Sequence, residues 1–168
     1  TWGNLANRVL AFAYKNWDGR TPTPGELRPG DHEILELIEN GFRTVGEHIE
    51  AVRLRAALFE ALRLATEVNK YLDKAAPWSE IKRDKVAAAT TMYTALKAID
   101  SLKVLFAPFL PFSSERLNQY LGYDQPIFGV QTTQSLSDAL GVHMGLLYQP
   151  DGASGKWAPS QLQPGQAL

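Results

Sequence analysis

The chain contains no cysteine, so disulfides, thiolate metal sites and a cysteine nucleophile are excluded, and a reducing, cytoplasmic setting fits the sequence. No stretch approaches the roughly 20 apolar residues of a membrane span and no signal peptide pattern is present, so the expectation is a soluble protein without a membrane partner. A surplus of one charge is missing too. With 17 Lys and Arg against 18 Asp and Glu, the net charge is −1, which excludes a generic polyanion binder held by long-range attraction. Any contact with nucleic acid must be local. What remains is 168 residues, 45% of them hydrophobic, enough for the core of one globular domain. The chain opens at Thr1 without Met and helical spacing begins within a few residues, which reads as a piece of a longer protein.

Apolar residues recur at helical spacing through most of the sequence. Leu5, Val9 and Phe12 define a first helix ending near Asn16 or Trp17, and the Pro- and Gly-rich segment Asp18 to Gly30 is a loop. Asp31 stands where an N-cap belongs, followed by Ile34, Ile38, Phe42, Val45, Ile49 and Val52; Gly41 and Gly46 in this helix imply close helix approach or a bend. A third helix runs from about Arg53 to Lys74, with Leu54, Leu58, Leu62, Ala65, Val68 and Leu72 inward. A fourth begins near Ser79 and carries Val86, Ala89, Tyr93, Leu96, Ile99 and Phe106; a short fifth spans Phe112 to Leu121 and ends at Gly122. Such stripes cannot be buried singly, so the expected fold is all-α: an antiparallel four- to five-helix bundle over residues 1–122. Residues 123–168, rich in Pro and Gly and nearly uncharged, are expected as an extended, mostly non-helical C-terminal tail. Its apolar pieces, Ile127-Phe128, Leu146-Leu147-Tyr148 and Trp157, imply that it packs on the bundle or on an absent neighbouring domain.

Charge is uneven along the chain. Thr1 to Asn16 and Lys70 to Lys85 are each locally +2, whereas Asp31 to Glu50 is −5. A phosphate backbone would be accepted near the first helix and the third-to-fourth helix junction and repelled by the second helix; ordinary solvated charge is the alternative reading of the same pattern.

Catalytic signatures are scarce. His32, His48 and His143 have no metal-ligand spacing and read as polar surface residues. Ser113-Ser114 sits where hydroxyls cap a helix, and Gly152 to Lys156 is a turn rather than a phosphate loop. Two other groupings suit RNA. Asn4 and Arg8, four apart on a helix, point to one side, and an amide with a guanidinium can read base edges or phosphate. Trp78, after Pro77 at a helix turn among lysines, can serve as a stacking platform for an unpaired base. Read singly, a solvent-facing Asn4, a salt-bridged Arg8 and a core Trp78 explain the same residues.

Taken together, Asn4-Leu5-x-x-Arg8, the stretch from Asn69-Lys70-Tyr71 to Pro77-Trp78 and the run Pro108-Phe109-Leu110-Pro111 resemble the anticodon-binding domain of methionyl-tRNA synthetase, a class I aminoacyl-tRNA synthetase. The likeness covers most of residues 1–122; the tail element Gly155-Lys156-Trp157-Ala158-Pro159-Ser160 is similar to one that, in family members, leaves the bundle and returns toward the catalytic domain. The resemblance implies that Asn4 and Arg8 contact the first bases of the CAU anticodon of methionine tRNA, that Trp78 stacks on the first of them, that Pro77 sets the indole and that Lys82 adds a basic contact. It also implies partners: the anticodon loop of methionine tRNA and a catalytic domain of the same parent chain, which uses ATP and Mg. The His-Ile-Gly-His and Lys-Met-Ser-Lys-Ser signatures of that domain and its zinc-knuckle cysteines are absent here, so this piece is expected to hold no cofactor or metal and not to aminoacylate by itself. A helical protein-interaction bundle without RNA binding, or the equivalent bundle of another class I synthetase, are the competing readings.

Overall fold

A computed structural model describes residues 2–168. Among them are six helices, α1 (Trp2–Asn16), α2 (Pro29–Glu50), α3 (Leu54–Ala75), α4 (Pro77–Glu80), α5 (Lys85–Phe106) and α6 (Pro111–Tyr120), then two strands, β1 (Val130–Asp138) and β2 (Gly141–Gln149). The chain is therefore mostly helical with one small sheet. Within the described residues no helix is long and apolar enough to cross a membrane.

Helix α5 is the hub. Most of its residues are apolar or small, and between Ala88 and Phe106 they are buried around nearly its whole circumference, Asp100 and Lys103 included, as befits a helix with no continuous polar face. The other helices pack round it with the stripes their spacing demands: Leu5, Val9 and Ala13 from α1, Ile34, Ile38 and Val45 from α2, Ala61, Leu64, Val68 and Leu72 from α3. Helices α2 and α3 join through three residues and so run antiparallel. They approach closely at Gly41, where a methyl would collide with Leu64 Cδ1. Helices α1 and α2 each pack on both α3 and α5 but not extensively on each other, which puts them on opposite sides of the bundle and separates the acidic helix from the first one.

Several boundaries differ from the sequence expectation. Asp31 is not the N-cap of α2; Arg28 is, Pro29 opens the helix, and Asp31 at the third position accepts a bond from the Arg28 backbone N–H. The helix expected from Ser79 is split. Pro77–Glu80 forms one turn of its own, and α5 starts later, capped by Asp84, whose carboxylate accepts from the N–H groups of Val86 and Ala87 at 2.9 Å each. Val86, in that first turn, is exposed, and so is Leu54 at the start of α3. Ser114 caps nothing: Leu110 is the N-cap of α6 and the buried Ser114 hydroxyl donates to Lys103 O.

Val52, expected on the apolar seam, instead lies in the α2–α3 turn with φ +57° and 81% of its surface exposed. A β-branched residue in the left-handed region costs roughly 1–2 kcal/mol with no burial in return. Val52→Gly removes that strain while adding freedom to the unfolded chain, so urea denaturation is expected to show a gain of about 0.5–1 kcal/mol.

The tail is more structured than a plain extended segment. Residues 130–149 form an antiparallel hairpin in register from Val130↔Gln149 to Asp138↔Gly141, closed by Ala139-Leu140, with Asp138 accepting from the Leu140 N–H at 2.8 Å and Gly141 at φ +118°. It stands off the bundle: Val142, Met144, Leu146 and Tyr148, alternate residues on one face of β2, are exposed. Beyond it the chain returns as a strap. Trp157 Nε1 donates to Phe42 O at 2.9 Å and its ring meets Phe42 edge-on at 5.5 Å; Leu162 is buried, and residues 166–168 bond backbone to backbone with 19–21 of the first loop. Gly122, at φ +78°, ends α6 and leaves room for Ala167 O, which a side chain would strike.

The knot between strap and bundle is a buried ion pair. Lys103 Nζ donates to Asp100 Oδ1 at 2.6 Å and to Asn118 Oδ1 at 2.7 Å, and sits 4.2 Å from the Tyr123 ring centre. The other Asp100 oxygen accepts from Tyr123 at 2.8 Å and from Ser160 at 2.6 Å. Burial, with the Asp100 charge beside it, pushes the Tyr123 phenol far above its ordinary value.

Candidate nucleic-acid interface

Helix α1 places Asn4 and Arg8 one turn apart, both bordering a cleft of about 570 Å³ between α1 and α3 that Leu5, Asn7, Thr66 and Asn69 complete. Asn4 is exposed. Arg8 is held from three directions: Nη2 donates to Asn69 Oδ1 at 3.0 Å, Nη1 lies 3.5 Å from Asp73 Oδ1, and the guanidinium carbon stands 4.8 Å from the centre of the Trp78 ring. Asn69 is itself oriented, since its amide donates to Ala65 O. The Arg8–Asp73 pair is largely exposed, and such pairs contribute about 1 kcal/mol or less, so a base edge or phosphate can displace the carboxylate at small cost.

Trp78 is neither a core residue nor a free platform. It is half-buried, its ring meeting Phe12 edge-on at 6.1 Å and an interplanar angle of 88°, and Arg8 rests against it. The turn that carries it is sharp because Ala76 adopts the left-handed conformation, φ +43°, and Pro77, buried, opens α4. Lys82 is exposed in the turn after α4 and makes no ion pair among the described residues. The structure thus joins Asn4 to Arg8 and Arg8 to Trp78, with Pro77 beneath the indole's backbone; it does not bring Lys82 into that cluster.

Behind the turn lies a second network. Asp31 is 1% exposed, and its carboxylate accepts from the Arg28 guanidinium at 3.0 and 3.1 Å, from the Arg28 N–H at 2.8 Å and from Tyr71 at 2.6 Å. Burial alone would raise its pKa, but these hydrogen bonds and the Arg28 charge outweigh burial and hold the carboxyl below the ordinary carboxylate range. The Tyr71 phenol is driven well above its usual value by burial and by the Asp31 carboxylate it faces. Arg28 goes on to bond Thr91 and to approach Glu80, in α4, at 3.7 Å.

Sequence reasoning missed Asn69, Asp73 and Phe12 as the groups that hold Arg8 and Trp78. Asn69 and Asp73 repeat the four-residue spacing of Asn4 and Arg8, and that signal could have found them. The histidines remain apart: His32 and His143 are exposed, but His48 is half-buried with Nδ1 unpartnered, not a plain surface residue. Among the described residues no group of three His, Asp or Glu side chains is placed to hold a metal ion.

Comparison with known proteins gives the family. A family described as the anticodon binding domain of methionyl tRNA ligase matches residues 21–146. The methionine–tRNA ligase of Thermomicrobium roseum is 47% identical over 170 residues, covering 100% of this chain and 29% of that protein. The ligase of Chloroflexus aggregans is 48% identical over 169 residues, covering 100% and 28%. Among solved structures, Mycobacterium tuberculosis methionyl-tRNA synthetase bound by methionyl-adenylate matches with TM-score 0.77 and 26% identity over 99% of this chain and 29% of that one. The chain spans under a third of the length of the curated relatives it matches. On the family match across three quarters of its length, this chain belongs to the methionyl-tRNA ligase anticodon-binding domain family.

Proposed function

We propose that the chain reads the CAU anticodon of methionine tRNA and so selects the tRNA for ATP- and Mg-dependent aminoacylation by a catalytic domain elsewhere in a longer, cytoplasmic ligase. The observation that carries this reading is the Arg8 guanidinium lodged between the Asn4 cleft and the Trp78 indole. Asn4 and Arg8 offer donors and an acceptor to base edges, Trp78 offers a stacking face held in place by Pro77, and Lys82 offers a flanking positive charge. Sequence-specific RNA recognition favours loops whose bases can be splayed, stacked and read in this way. No residue of this chain is assigned to ATP or Mg. In this reading residues 1–122 form the RNA-reading bundle, and residues 123–168 bind it into one piece through the Asp100–Ser160 contact.

Titration of the chain with an anticodon stem-loop tests the proposal. The CAU hairpin should bind more tightly than one with the first anticodon base changed, and Trp78→Ala should weaken CAU binding by about 1–3 kcal/mol, the worth of one stacked base. Equal binding of the two hairpins would refute specific readout. Circular dichroism of the variant separates lost stacking from lost fold.

A further inference from the structure

The outward side of α1 does not stop at Arg8. Asn7, Ala11 and Tyr14 follow at helical spacing beside Asn4, Arg8 and Lys15, and α1 carries no acid at all. Asn7 borders the Asn4–Arg8 cleft and also a second groove, of about 470 Å³, between α1 and the end of α6. That groove has an apolar floor of Leu10, Ala11 and Leu168, walled by two exposed aromatics, Tyr14 at 62% and Tyr120 at 57%, with the amides of Asn7 and Gln119 between them. Its continuation toward the start of α6 adds Arg116 together with the apolar Trp2, Leu110 and Phe112, and no carboxylate side chain lines either part. The acidic surface of the molecule is on α2, across the bundle.

These features select one kind of occupant. Phenol rings over an apolar floor give bases flat faces to stack on, and an arginine with no carboxylate side chain beside it suits the phosphates that join those bases. Ala11, small and exposed, is the low point of the ridge between the two depressions, and the width to cross is one helix, about 10–12 Å. We infer that the α1–α6 groove is a second RNA subsite: a strand leaving the Arg8–Trp78 cluster crosses α1 at Ala11, and a nucleotide flanking the anticodon bases stacks on Tyr120 and Tyr14. The subsite deepens the anticodon reading above and rests on it. It contributes affinity without base choice, because stacking tolerates every base and discrimination stays with Asn4, Arg8 and Trp78.

The experiment uses the same stem-loop titration with Tyr120→Ala and Ala11→Glu. Both positions are exposed, and Ala and Glu are both strong helix formers, so the glutamate tests the crossing even if the tyrosine change disturbs the end of α6. Each variant should bind the CAU hairpin about tenfold more weakly, with an unchanged ratio between the CAU hairpin and the one altered at its first anticodon base. If both variants bind like the unaltered chain while Trp78→Ala is weakened, the subsite is wrong, the anticodon reading stands, and the groove is left to a protein contact. If Trp78→Ala has no effect and the two hairpins bind alike, or if the unaltered chain binds neither, the anticodon reading fails and takes the subsite with it.

Discussion

Asp100→Ala is expected to lower the stability of the chain by about 3–5 kcal/mol in urea denaturation, the largest effect of any single change considered. Asp100 and Lys103 are 2% and 4% exposed. Removing the carboxylate strands an ammonium in the interior, and a buried ion pair broken on one side characteristically costs about that much. The same change takes the acceptor from Tyr123 and Ser160, so the strap is released from α5 together with the charge. For a domain of this size the melting temperature should fall by very roughly 10 °C. The paired change Asp100→Leu with Lys103→Met separates the two costs. With no charge left buried, it should recover much of the global stability, because apolar replacements of buried pairs are often neutral, yet the strap should stay loose, visible as faster amide exchange in residues 156–162. If the single and double variants lose the same stability, the stranded charge is not the cause.

That cluster also shows where sequence reasoning reaches its end. The helices were legible because each buries a stripe of fixed period: Ile34, Ile38 and Val45, or Ala65, Val68 and Leu72, appear in the core where their spacing puts them. The split at Pro77–Glu80 was not, since Asp84 competes with Ser79 as a helix start and only the tertiary turn at Ala76 decides between them. The hairpin was hidden for another reason. Both its faces meet solvent, so β1, which reads Val-Gln-Thr-Thr-Gln-Ser-Leu-Ser-Asp, lacks the alternation that one buried face would impose. Its pairing comes from the backbone ladder and the Asp138 turn.

At the proposed site, sequence spacing alone placed Asn4 beside Arg8, because four residues along a helix is a local relation. The Arg8–Trp78 approach joins residues 70 positions apart, and from single residues it could be argued only through the family likeness. The strut Phe12 lies one turn beyond Arg8 on α1, and the anchors Asn69 and Asp73 lie on α3; spacing marks a stripe on each helix, but only the fold sets the two stripes face to face.

Asp31 combines a misjudged boundary with a measurable consequence. Expected as the N-cap of α2, it is instead a buried acceptor that gathers the first loop, α2 and α3, and through Arg28 reaches α5 and the Trp78 turn at Glu80. Asp31→Asn keeps the shape but removes the charge that both Arg28 and Tyr71 address. Hydrogen bonds to a charged group contribute about 1.5–3 kcal/mol each, and some are retained by the amide, so a loss of about 3 kcal/mol is expected near neutral pH. The pH dependence identifies the cause. An unfolded Asp titrates near 3.9 and the folded Asp31 carboxyl lies below the ordinary range, so the unfolded chain binds this proton first. The stabilisation is therefore complete above about pH 5 and disappears as the pH falls past 4 and through the lower folded value. The stability gap between the native chain and Asp31→Asn should be full at pH 6 and close toward pH 2. A gap that stayed constant with acid would mean that the carboxylate is not the charged centre of this network, and the hold of Arg28 on the Trp78 turn would need another origin.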